Sequence, residues 1–221
     1  PHPYHWPTIG FPEDLAAASL NDVQEFFSLY YHPANASLVI AGDVNTDEAI
    51  AVATDHFAQL APGSPCDPVT ASLDTMSGTQ YLRLNDRVEL PRLYLSWLST
   101  ALFGDHDAEL DLAADILAGG KSSRLYRALL HDREIATDVS VHQASSELSG
   151  IFSIVVTAAP GHTLSDINIV VADEIHRMQS DGVTEEEFTR ARNRMEVDFA
   201  WQCQSVGGFG GVSDQLNAYN V

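Results

Sequence analysis

Residues 107–130 read DAELDLAADILAGGKSSRLYRALL, and this stretch decides the predicted architecture. Its first half places apolar side chains at helical spacing, at Leu110, Ala113, Ala114 and Leu117. That spacing predicts a helix over 107–118, which Gly119–Gly120 would end. Ser122–Ser123 can cap a second helix, which we expect to run to about Leu130.

Segments with strand character flank these two helices in pairs. They are residues 80–84, 93–98, 135–143 and 150–159. Within 93–98, leucine and tryptophan alternate with Tyr94 and Ser96, which predicts a strand that buries one face. Two further helices are predicted over 164–178 and 184–203, the second from a capping box at Thr184–Glu187. Paired strands with paired helices between them favour an α+β fold, in which an antiparallel or mixed β-sheet is layered with helices.

The N-terminal third of the chain has a different pattern. Two helices are predicted there, one capped by Ser19 and stopped by Pro33, the other capped by Thr46 and reaching about Leu60. Between them, residues 36–41 (ASLVIA) form a short apolar run that predicts a strand. Because one strand with two helices has no sheet to join, we expect this segment to complete a domain that begins before Pro1.

A proline-rich stretch separates the two regions. Residues 61–77 contain three prolines and show no hydrophobic period, which is typical of a linker. We therefore predict that residues 1–66 are the end of a first domain, that 67–77 are a linker, and that 78–221 are a second domain lacking its last elements.

The charge of the chain narrows the possible partners. Thirty-one acidic and 11 basic residues give a formal charge of −20, and Lys121 is the only lysine. Phosphate backbones repel such a surface, so we expect no nucleic-acid binding. The charge fits either a solvated exterior or a cavity that attracts basic peptides. No apolar run approaches the roughly 18 residues of a membrane span, so none is predicted in this segment.

The histidines do not form a metal-binding pattern. None of the nine lies four residues from another, as a helical zinc motif requires. His2 and His5 are flanked by prolines that prevent a regular helix. Cys66 and Cys203 have no ligand-type neighbours, and the sequence cannot pair them. We therefore predict no catalytic residue, no metal ligand and no cofactor within this chain.

Four motifs, taken together, carry a family resemblance. They are HPYHWPTIG, ASLNDVQEFFSLYYHPANASLVIAGDV, ELDLAADILAGGKSSRLYRALL and GVTEEEFTRARNRME. In this order and spacing they resemble the pitrilysin/insulinase-like zinc metallopeptidases, and they cover nearly the whole chain. The resemblance implies paired α+β domains that form half of a clamshell around unfolded peptides.

The resemblance also implies where the catalytic metal belongs. The family binds zinc through an inverted H-x-x-E-H motif with a later glutamate, in the first domain upstream of HPYHW. We therefore expect zinc in the full-length parent and a non-catalytic role for this chain.

A second family feature concerns an arginine and a tyrosine, seven residues apart, that many active members supply from the second domain. Those positions correspond here to Leu130 and Thr137. A leucine side chain cannot donate a hydrogen bond. We therefore expect the pair to come from a partner subunit or from a second copy of the domain in a longer chain, if it is present at all.

The resulting hypothesis is that this chain is the non-catalytic, substrate-chamber portion of a zinc metalloendopeptidase that cleaves unfolded peptides. The peptide-contacting candidates are Gly119, Gly120, Lys121, Ser122, Ser123 and Arg124, together with the strand over 135–143. A helix start with these polar groups could hold an anion, although a helix end followed by a new cap explains the same residues.

The sequence also allows two other functions. The chain could come from a structural subunit of a processing-peptidase-like complex with no zinc in the parent, or from an unrelated peptide-binding module. Family resemblance suggests the periplasm or cell envelope for a bacterial parent. The strand predicted at 36–41 would have an unpaired edge, which predicts a dimer through that edge.

Overall fold

The computed structural model describes residues 2–71 and 76–220, and the chain divides into two units. Unit 1 comprises Pro1–Thr75 and Asp198–Val221, and unit 2 comprises Met76–Val197. The linker predicted at 67–77 includes residues 72–75, which lie outside the described residues. How these units correspond to domains of a longer protein stays a prediction.

Most of the secondary-structure elements are helices, and three strands lie in unit 2. The α-helices are α1 (Pro12–Ala17), α2 (Leu20–Tyr30), α3 (Thr46–Phe57), α4 (Asp107–Ala118), α5 (Arg124–Tyr126), α6 (Leu164–Asp181), α7 (Glu185–Gln202) and α8 (Val212–Ala218). A π-helix, Arg127–His131, continues α5. The strands are β1 (Arg92–Ser99), β2 (Ala136–Ser145) and β3 (Gly150–Ala158).

The sheet has the order β1-β3-β2, and both pairings are antiparallel. Ser153 of β3 lies opposite Ser96 on one side and opposite His142 on the other. The register shifts between Ala136 and Asp138, which marks a β-bulge at the start of β2. The α+β prediction is confirmed, and the sheet is purely antiparallel.

The core of unit 2 lies between this sheet and the helices. Its fully buried side chains include Leu125, Leu129, Ile154, Ile167 and Val171. They come from α5, the π-helix, β3 and α6, so one apolar layer joins the helices to one face of the sheet. Burying apolar area in this way is the main term that stabilises the unit.

Helix caps largely follow the sequence. Ser19 and Asp22 form a capping box at the start of α2, and Thr184 accepts the Glu187 N–H while its own N–H donates to that carboxylate. Thr46 is the first residue of α3 and not its cap. The Asn45 side chain accepts the N–H groups of Asp47 and Glu48, because its amide oxygen reaches both orphan donors.

Two predicted strands are wrong. Residues 36–41 and 80–84 form no ladder with another strand in the described part of the chain. Their apolar side chains remain in solvent, with Leu38 59% and Tyr81 92% exposed. Both segments have strand composition, but a strand exists only where a neighbour accepts and donates its backbone hydrogen bonds.

Unit 1 exposes much of its apolar surface. None of residues 2–71 is buried. On α2 and at the residue that follows it, aromatic rings pack against one another, with 4.5 Å between the ring centroids of Phe27 and Tyr31 and 5.0 Å between those of Phe26 and Tyr30. These rings nonetheless stay about half exposed. Within the described ranges, no helix has the length and apolar character to cross a bilayer.

Candidate functional site

The sheet of unit 2 carries helices on one face and leaves the other accessible. Val141, Ile154 and Val156 point to the face on which α4 and α6 pack, and they are buried. Alternate residues point the opposite way because successive side chains of a strand lie on opposite faces. We call this second surface the open face; its central side chains are those of Tyr94, Ser96, Leu98, Ser140, His142, Ile151, Ser153 and Val155.

Exposure confirms that the open face is accessible within the described chain. Tyr94 is 64% exposed, and Leu98 and Ile151 are each 46% exposed. Ile154, three residues after Ile151 on the same strand, is 0% exposed. One strand therefore presents one isoleucine to the core and another to solvent.

Cross-strand rows organise the chemistry of the open face. In the central row, Ser96 Oγ and Ser153 Oγ lie 3.2 Å apart, within hydrogen-bond distance, and His142 lies opposite Ser153. Apolar side chains dominate the rows on either side, which pair Tyr94 with Val155 and Leu98 with Ile151. A band of hydroxyl and imidazole groups thus crosses a surface that is otherwise largely apolar.

Charge is nearly absent from this sheet. The three strands contain one arginine, Arg92, and one of the protein's 31 acidic residues, Asp138. Arg92 Nε donates to Thr157 Oγ1 at 3.1 Å, and Asp138 lies opposite Thr157. Both charges therefore lie in one row at the end of the sheet, and its central rows contain no aspartate, glutamate, lysine or arginine.

The turn predicted as a peptide contact, Gly119–Arg124, lies between α4 and α5. Ser123 is 2% exposed, and its Oγ donates to the Gly120 carbonyl at 2.6 Å. Gly120 has φ +140°, a backbone conformation that favours glycine, and a side chain there would lie 2.9 Å from Arg194 Nη1. Lys121 and Ser122 are the exposed members of the turn.

Arg124 is anchored within the fold. Its Nε donates to Glu187 Oε1 and its Nη2 to Glu187 Oε2, each at 2.7 Å, and Nη2 also donates to the Gly182 carbonyl at 2.8 Å. Chiefly through its hydrogen bonds to this carboxylate, Arg124 lowers the pKa of Glu187 to about 2, although partial burial opposes the shift. The guanidinium therefore joins the start of α5 to the loop before α7.

The positions that correspond to the family's arginine and tyrosine lie in irregular backbone. Leu130 is in the π-helix and packs, half-buried, against the core. Thr137 is at the bulge of β2, and its Oγ1 lies 3.5 Å from the Thr157 carbonyl oxygen. The Leu130 side chain has no hydrogen-bond donor, so these two positions do not supply the guanidinium of the arginine and tyrosine pair.

Carboxylates on α4 have structural partners. Asp107 is 8% exposed; it accepts the Phe103 N–H at 3.0 Å and a Gln143 Nε2–H at 3.1 Å. Burial raises the pKa of Asp111, and the neighbouring charge of Asp107 raises it further. Across residues 2–71 and 76–220, no three histidine, cysteine, aspartate or glutamate side chains group so that they could hold a metal ion. The described residues therefore do not fit a zinc site.

Local sequence patterns indicated the turn but missed most of the open face. The alternation of Tyr94 and Ser96 with buried neighbours is visible in β1. Ser153 and His142 can be placed in one row with Ser96 only when the strand order and register are known. Periodicity in β2 and β3 would indicate which residues share a face, but not which rows they form.

Comparison with known proteins agrees with this architecture. The family described as the peptidase M16 inactive domain matches residues 17–195. The zinc protease PqqE of Helicobacter pylori is 24% identical over 215 residues, which are 96% of this chain and 48% of that protein. The chain thus spans about half the length of the curated relatives that it matches.

Solved structures share the fold. A protease from Helicobacter pylori aligns with a TM-score of 0.75 at 23% identity, covering 99% of this chain and 52% of that one. The first half of the periplasmic protease PqqL from Escherichia coli aligns with a TM-score of 0.65 at 15% identity, covering 88% and 42%. Because the family match extends over most of its length, this chain belongs to the peptidase M16 inactive domain family, as the resemblance to the pitrilysin-like zinc metallopeptidases implied.

Proposed function

We propose that this chain forms a non-catalytic wall of the substrate chamber of a zinc metalloendopeptidase that cleaves unfolded peptides. The observation that carries the proposal is the one-sided sheet, with helices against one face and, on the other, an accessible surface of apolar and uncharged polar side chains. A sheet face that a protein leaves uncovered and only partly polar is a typical interaction surface. The family to which the chain belongs supports a peptide as the ligand.

The outer edge of β1 offers a second way to hold an extended peptide. β1 pairs with β3 on one side, and beside it lies a groove of about 860 Å³ whose lining includes residues 78–80, Leu82 and Trp97. A peptide that added to this edge would gain main-chain hydrogen bonds, while its side chains would contact the groove. The strand predicted over 135–143, which is β2 in the structure, contributes Ser140 and His142 to the open face.

The Gly119–Arg124 turn remains a proposed contact. Lys121 and Ser122 are exposed there and could meet a peptide carboxylate or carbonyl. Ser123 and Arg124 would act indirectly, because their side chains support the turn through Gly120 and Glu187.

The zinc and the other catalytic groups of the peptidase would come from outside this chain. We propose that the parent carries zinc in its first domain, of which 1–66 would be the end, and that 78–221 belong to the second. An arginine and tyrosine pair from a partner subunit would complete the site, since Leu130 cannot supply it. The exposed 36–41 segment would also allow a dimer, and the likeness to a periplasmic protease supports the periplasm or cell envelope.

Three measurements test this function. The purified chain should cleave no fluorogenic casein or peptide with or without added zinc, yet should bind unfolded peptides in fluorescence anisotropy. Zinc-dependent cleavage by the chain alone, or failure to bind any peptide, would overturn the proposal. Metal analysis of the full-length parent separates a zinc peptidase from a structural subunit, because the second would purify without stoichiometric zinc.

A further inference from the structure

We propose that the open face selects uncharged stretches of unfolded polypeptide, and that it does not bind the basic peptides that the net charge of the chain would suggest. This inference rests on the proposed chamber function and names the substrate chemistry of the same surface.

The distribution of charge is the first argument. The chain has a formal charge of −20, so its average field attracts cations. The open face carries little of this excess negative charge, because Asp138 is the only acidic residue in the three strands. Asp138 shares its row with Arg92, which offsets its charge. A lysine or arginine side chain at the central rows would therefore find no strand carboxylate beside it.

Desolvation is the second argument. A peptide that covers Tyr94, Leu98, Ile151 and Val155 removes water from its own side chains as well. An apolar or aromatic side chain gains from this contact, whereas an unpaired charge loses its hydration without compensation. The open face thus favours uncharged segments over acidic and basic ones.

The central row supplies the polar contacts that an uncharged peptide needs. The hydroxyls of Ser96 and Ser153 can each donate and accept, and so can the neutral imidazole of His142. These groups can bond peptide amides or serine and threonine side chains of the ligand without requiring a charge. Three strands about 4.8 Å apart, over about four rows, make a surface long enough for roughly six extended residues.

The experiment compares three fluorescein-labelled peptides of equal length, about twelve residues each, which is roughly twice the length that the open face can hold. One contains only apolar, serine and threonine residues, one is lysine-rich and one is glutamate-rich. Fluorescence anisotropy with the whole chain, at about 0.15 M salt, should show at least tenfold tighter binding of the uncharged peptide than of either charged peptide.

Variants place the binding on the open face. Ser153→Lys and, on the outer strand β2, His142→Lys should each weaken binding of the uncharged peptide at least tenfold. Asn168→Lys is the matched control, because it adds the same charge at an exposed position of α6, on the helical side of the sheet. Near-ultraviolet circular dichroism identifies any variant that fails to fold.

The outcomes separate the two proposals. Tightest binding of the lysine-rich peptide, or unchanged affinity for the uncharged peptide in folded Ser153→Lys and His142→Lys, would overturn the selectivity and leave the chamber function standing. If no peptide binds, both proposals fail. The comparison among the three peptides needs only the natural chain, so it decides the selectivity even if a variant misfolds.

Discussion

Arg124 and Glu187 are joined by two parallel hydrogen bonds of 2.7 Å, although 63 residues separate them in the sequence. Both side chains are mostly shielded, with 14% and 17% of their surface exposed. A planar guanidinium matched to a carboxylate in this way is among the strongest forms of protein ion pair. It connects the turn after α4 to the start of α7.

A double-mutant cycle should show that this pair is coupled. Arg124→Ala, Glu187→Ala and the double variant are expected to give a coupling energy of about 1.5–3 kcal/mol in urea unfolding, because the bonds are charge-assisted and partly shielded. Arg177 and Glu174 form the control pair, in which Arg177 is 65% exposed, and should give about 0.5 kcal/mol or less. Equal coupling in the two pairs would contradict this account.

The same pair predicts how stability depends on pH. The pKa of Glu187 falls from its ordinary 4.5 to about 2 in the folded chain, so its contribution is complete above about pH 4.5 and is lost as the pH falls through 2. Urea unfolding from about pH 7 to about pH 2 should therefore show a constant gap between the natural chain and Glu187→Gln above roughly pH 5, narrowing as the pH falls further. A gap that stays constant over the whole range would show that ionisation of Glu187 contributes nothing.

Two isoleucines of β3 test the one-sided sheet. Ile154→Ala removes a side chain that is 0% exposed and should cost about 2–5 kcal/mol of unfolding free energy. Ile151→Ala, at 46% exposure on the open face, should cost about 1 kcal/mol or less. The second variant should instead weaken peptide binding. Similar losses of stability in both would mean that the open face is covered in solution.

Salt should stabilise this protein. The chain carries a formal charge of −20, and residues 2–71 contain no lysine or arginine, so carboxylates repel one another with few internal counter-charges. Raising sodium chloride from about 0.05 to about 0.5 M shortens the screening length from roughly 14 to roughly 4 Å, and the thermal midpoint should rise by several degrees. A midpoint that falls or does not move would show that favourable ion pairs outweigh the repulsion.

Local patterns in the sequence predicted the longer helices and most of their caps. The helix over 107–118 was predicted with the bounds that α4 has, and Ser19 and Thr184 cap helices as expected. These features depend on residues three or four apart, whose backbone and side-chain groups meet within one helical turn. Thr46 was misassigned because Asn45, one residue earlier, caps two N–H groups of α3 at once.

The sequence by itself determined the longer helices, the three strands of unit 2 and the family, because periodicity and motif order are written in neighbouring residues. Tertiary structure alone decided that 36–41 and 80–84 lack a strand partner within the described ranges, that Arg124 bonds Glu187, and that Ser96, Ser153 and His142 share one row. Each of these facts depends on which distant segments meet. Strand pairing and long-range ion pairs form only when the chain closes upon itself, so no local pattern contains them.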